Sequence, residues 1–130
     1  MPDIDGRWTY RSFLNAPDTA LPFDALRFGA GDMELAHDAS SGVTGTPGGT
    51  GWSLDLAGTM TTEGTTRVHL QGTGVIGGEN WVYDYLGFLV PDWPHGVDQT
   101  DAIVGSVIRT EPHGEAAAGF VASFYAVRQT

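Results

Sequence analysis

About eight short stretches of two-residue alternation run the length of this chain, separated by Gly-, Pro- and Asp-rich turns. Successive side chains of a strand point to opposite faces, so such alternation marks a ribbon with one buried side. In residues 6–14, Trp8, Tyr10, Ser12 and Leu14 share one face, and Arg7, Thr9, Arg11 and Phe13 share the other. Further stretches fall at residues 26–36, 43–46, 52–57, 68–71, 80–90, 103–110 and 119–128. Residues 15–24 hold two prolines and read as a loop. Helical signals are scarce, and only residues 115–118 suggest a brief turn. The pattern predicts an all-β fold in which an eight-stranded antiparallel up-and-down sheet closes into a barrel. An even strand number lets the first and last strands pair and seal it. An open sandwich of the same strands is the competing architecture.

Composition narrows this further. With 130 residues the chain makes one domain, residues 1–130, large enough to bury its own core. The chain contains no lysine. Open sheets commonly guard their edges with lysine, and closure removes the edges altogether. The formal net charge of −10 repels phosphate, which argues against nucleic acid and against an anionic membrane surface as partners. Cysteine is absent, so disulfides, thiolate metal sites and thiol nucleophiles are excluded. No apolar stretch approaches the length of a transmembrane helix. The opening Met-Pro-Asp-Ile-Asp lacks the basic and apolar regions of a secretory signal, so a cytoplasmic location is expected.

Gly6-Arg7-Trp8 resembles the Gly-x-Trp signature of the calycin barrels, the group of lipocalins, fatty-acid-binding proteins and avidins. The resemblance implies that Trp8 closes the barrel floor and that a late arginine packs across it. Arg128 is the first candidate for that arginine and Arg109 the other. The segment Gly42-Val43-Thr44-Gly45-Thr46 is similar to the second avidin hairpin, and Tyr83-Asp84-Tyr85 to a lipocalin Thr-Asp-Tyr motif. Trp52, Trp81 and Trp93 do not map onto the avidin biotin site, so biotin is not the implied ligand.

The run Trp81-Val82-Tyr83-Asp84-Tyr85-Leu86-Gly87-Phe88 is the richest in chemistry. One face carries Trp81, Tyr83 and Tyr85. Turned inward, it makes an aromatic wall with hydroxyl handles. The other face carries Asp84 among apolar residues. Turned inward, that carboxyl is a candidate general acid or base. The loop of residues 91–101 is long for a hairpin and holds Trp93 between prolines, a stiff cover for a barrel mouth. His95 in the same loop can exchange a proton near neutral pH. The four histidines have no zinc spacing, the acids of the loop have no calcium spacing, and no serine sits in a nucleophile elbow. No cofactor and no metal are expected.

The leading expectation is a lumen that binds a small, largely apolar or aromatic molecule. Tyr10, Trp52, Tyr83, Tyr85 and Phe124 line it, with Trp93 and His95 at the mouth. One alternative is a cofactor-free isomerase, cyclase or lyase in which Asp84, Tyr83 or His95 moves protons. The other is a structural module with a filled barrel, self-associating into a homo-oligomer through Trp93 or Phe13.

Overall fold

The computed structural model describes residues 3–90 and 95–129. The strands are β1 (Gly6–Leu14), β2 (Arg27–His37), β3 (Gly42–Gly49), β4 (Trp52–Ser53), β5 (Asp55–Thr61), β6 (Arg67–Ile76), β7 (Glu79–Leu89), β8 (Ala102–Arg109) and β9 (Val121–Val127). Each pairs antiparallel with its neighbours, and β9 returns to β1. β4 and β5 are two pieces of one wall, interrupted at Leu54, whose amide donates to Pro47 O across the gap. The result is the closed eight-stranded antiparallel barrel that the alternation predicts. β3 runs longer than its apolar pattern, carrying Pro47 within it. A four-residue helix, α1 (Phe23–Leu26), spans the end of the expected loop, residues 15–24, and the first residue of the expected second strand, Leu26. Among the described residues, no helix is long and apolar enough to cross a membrane.

Strand direction alternates, so connections fall in turn at two ends. The β2–β3, β5–β6 and β7–β8 connections join the chain start at one end, the floor. The β1–β2, β3–β4, β6–β7 and β8–β9 connections form the other end, the mouth.

Trp8 is fully buried at the floor and donates its indole N–H to Ile4 O at 3.0 Å. The Arg128 guanidinium lies 4.5 Å from the Trp8 ring centroid. Its Nε donates to Asp101 Oδ2 at 2.9 Å, Nη1 donates to Asp5 O at 2.7 Å, and Nη2 donates to Asp3 O. Arg128, not Arg109, is therefore the arginine that crosses the indole. Gly6 has φ +122°, a conformation L side chains rarely adopt, and a Cβ there would also lie 3.5 Å from Arg128 Nη1. The triplet thus works as a unit: the glycine lets the chain bend under the tryptophan that the arginine covers.

Above the floor, Met33, Leu35, Val68, Leu70 and Ile103 fill the lumen and leave a void of only about 10 Å³ with Tyr85 and Phe124. A triangle of rings caps this filled half. Tyr10, Tyr85 and Phe124 stand 5.7–6.0 Å apart, centroid to centroid. Two glycines make room for it. A Cβ on Gly72 would come 3.1 Å from the Tyr85 ring, and one on Gly87 would come 3.0 Å from the Phe124 ring.

Candidate functional site

Beyond the ring triangle the lumen opens. A cavity of about 220 Å³ at the mouth is lined by Tyr10, Phe28, Trp52, Trp81, Tyr83 and Tyr85, with Arg109 and His113 among its polar groups. An apolar cavity of about 150 Å³ accepts benzene, and sites for drug-sized ligands begin near 300 Å³. This one is matched to a single substituted ring.

Local sequence explains how each wall arrives. In β7 the aromatic face turns inward: Tyr83 and Tyr85 are buried and Trp81 packs against the core. Phe28 is the extra residue of a bulge, since Ser12 pairs with Gly29 while Phe13 pairs with Arg27. Trp52 opens β4 at the mouth and meets Tyr10 edge-on at 6.0 Å. Arg109 ends β8 directly across from Tyr83, its cross-strand partner. The β8–β9 connection then folds back through a bridge between His113 and Ala116. That fold lays the His113 ring on Trp81, 4.3 Å apart and nearly parallel.

The polar groups form a chain. Arg109 Nε donates to Tyr83 Oη at 3.2 Å, and Tyr83 Oη lies 2.9 Å from His113 Nε2. With Arg109 donating, the phenol proton is left for His113 Nε2, which places the imidazole proton on Nδ1. Burial first, and then the Arg109 charge, hold His113 below its ordinary value of 6.5, which favours this neutral form. Burial pushes the Tyr10 phenol up and the Tyr85 phenol well up, so both stay as neutral hydroxyls. The Trp81 indole nitrogen is buried and has no hydrogen-bond partner among the described residues.

The sequence expectations are distributed as follows. Tyr10, Trp52, Tyr83 and Tyr85 all reach the cavity. Phe124 lies beneath it, in the ring triangle. Asp84 points away from the lumen: its side chain is 33% exposed and faces His69 Nε2 at 3.8 Å. It follows the parity of β7, which gives the lumen to the tyrosines on either side. The placement of His95 at the mouth is corrected. The β7–β8 connection belongs to the floor, where Asp101 binds Arg128 and Val90 N donates to Ala102 O. His95 is exposed there. Trp93 lies outside the described residues. Phe13 is half-buried on the outer wall, stacked with Tyr125 at 5.4 Å.

Sequence reasoning missed Phe28, Arg109 and His113 as mouth residues. A signal existed for Arg109, because Ile103, Gly105, Val107 and Arg109 share the inward face of β8. None existed for Phe28, whose inward turn depends on a bulge.

A second concavity lies outside the barrel, between β1, β2, β9 and α1, lined by Arg11, Phe13, Phe23, Arg27 and Tyr125. Phe23 is 77% exposed there and Arg27 pairs with Asp24 at 3.5 Å. Arg11, Phe13 and Tyr125 belong to the outward faces of their strands, so this surface lies outside the lumen and meets the mouth cavity only at Ser12 and Gly29.

Comparison with known protein families, with curated proteins and with solved structures found no match for this chain.

Proposed function

We propose that this is a cytoplasmic, calycin-like barrel that binds a small aromatic or largely apolar molecule in the mouth half of its lumen. The observation that carries the reading is the contrast within one barrel. The floor half is packed solid, while the mouth half keeps a ring-sized cavity walled by aromatic residues. Cores are close-packed by default, so a cavity that also keeps an orphaned indole N–H is more than a packing fault. Val107 lines the cavity and offers a way to fill it. Isothermal titration of the protein with p-cresol, a one-ring probe, should show saturable binding, and Val107→Phe should abolish it. Native mass spectrometry of freshly purified protein should show a carried molecule of similar size. An absence of heat with p-cresol, together with a bare mass, would refute the reading.

One observation favours catalysis as a second reading. The Tyr83 hydroxyl is held between a cation and a neutral imidazole at the cavity wall. In a cofactor-free isomerase, cyclase or lyase, Tyr83 would pass its proton to His113 Nε2 as it takes one from the bound molecule, and the reverse relay would return it. Tyr83→Phe would then abolish turnover and leave binding intact.

A further inference from the structure

We infer that the cavity is built for an aromatic carboxylic acid, with Arg109 and the Trp81 indole N–H receiving its carboxylate. This rests on the binding reading above and names the class of molecule.

The first observation is an ion pair that is missing. The chain has sixteen acidic residues and six basic ones. Arg7, Arg27 and Arg128 each have an aspartate within 4 Å. Among the described residues Arg11, Arg67 and Arg109 have no carboxylate partner, and of these three only Arg109 lines the mouth cavity. The charge of Glu79 acts on His113, yet Glu79 makes no ion pair with Arg109. In so acidic a protein, an arginine at a cavity wall without a carboxylate is an invitation to one from outside.

The second observation is how the guanidinium is held. Phe28, Tyr83 and Phe120 rings surround it at 5.2–5.8 Å. Nε donates to Tyr83 Oη, and Nη1 donates to Ala117 O at 3.2 Å. The rings pack around the guanidinium and the two bonds orient it. Its other N–H donors stay available, and a planar carboxylate is the group they fit best.

The third observation is independent of Arg109. The Trp81 N–H is buried with no acceptor among the described residues, and Trp81 lines the same cavity. An unsatisfied buried donor is costly, and an incoming oxygen would satisfy it. Apart from Ser12, the remaining walls are apolar or aromatic, so the part of the molecule that carries the carboxylate is a ring.

The test is a matched pair of probes. Cinnamate and cinnamamide have the same ring and length, and only the first is an anion. Isothermal titration at pH 7.5 should show cinnamate binding wild-type protein at least about tenfold tighter than the amide, the scale of a charge-assisted hydrogen bond. In Arg109→Gln the preference should shrink to about twofold or less, with a cooperative thermal melt reporting that the variant is folded. Trp81→Phe should weaken cinnamate by roughly fivefold, since a neutral donor contributes less than a charged one. Equal affinity of the two probes for wild type would overturn the carboxylate assignment and leave the aromatic cavity standing. A preference that survives in Arg109→Gln would overturn it too. Binding of neither probe would remove this inference together with the reading beneath it.

Discussion

Two arginines divide this barrel between them. Arg128 at the floor and Arg109 at the mouth both lie against aromatic rings. Arg128 spends its charge inside the protein, on Asp101 and on carbonyls of the chain start. Among the described residues, Arg109 meets one hydroxyl and one carbonyl and no carboxylate. Around Arg128 the lumen is packed, and around Arg109 it is open. On the proposed reading, the same residue on the same kind of surface is structural where its electrostatics are complete and functional where they are not. Internal satisfaction, more than residue type, separates the two ends.

The comparison can be broken at several places. Trp8→Ala should have the largest effect, about 3–5 kcal/mol of unfolding free energy in urea titration, because it empties a fully buried site. Trp81→Ala should cost less than half as much. Equal costs would mean that the mouth is core as well. Gly6→Ala forces a side chain into a left-handed conformation and should cost about 1–3 kcal/mol by the same titration. Arg128→Gln should destabilise by about 1–3 kcal/mol, and Arg109→Gln by under about 1 kcal/mol. A reversal of that order would contradict the division of roles.

A smaller effect concerns pH. Because His113 is held below 6.5 in the folded protein, the unfolded chain takes up that proton first. The group's share of stability is complete above about 6.5 and is lost as pH falls through the lower native value. Thermal melts between pH 7 and pH 5 should therefore flatten in His113→Gln. Asp5 does not confuse this window. The His37 amide donates to its carboxylate and holds it below 3.8, so its contribution is lost only under that pH. Smallest of all, Asp84→Asn and His95→Gln should change stability by less than about 0.5 kcal/mol. Neither should alter p-cresol affinity in calorimetry, because both side chains lie outside the lumen.

The barrel itself was legible in the sequence because alternation is a local signal. In β6, Arg67, His69 and Gln71 face out and Val68, Leu70 and Gly72 face in, as the pattern reads. β7 was harder. Val82, Leu86 and Phe88 made its outer face nearly as apolar as its inner one, so periodicity alone left Asp84 undecided. Leu86 and Phe88 are in fact about 40% exposed. The mouth is less legible for a different reason. Length marks the β7–β8 connection as a candidate cover without saying which end it serves, and counting strand directions from Trp8 sends it to the floor. The same count sends residues 110–120 to the mouth and brings His113 with them. The bulge at Phe28 and the short helix Phe23–Leu26 had no such signal. Both arise where the chain leaves β1 and must re-enter the sheet.

The indole N–H groups offer the most direct test. Trp8 sits at the floor, and Trp52 and Trp81 line the cavity, so one nitrogen–proton correlation spectrum reports on both ends at once. During titration with cinnamate, the Trp52 and Trp81 signals should move in step with saturation while the Trp8 signal stays in place. A Trp8 signal that moves with them, or cavity signals that stay still while cinnamate binds, would contradict the account.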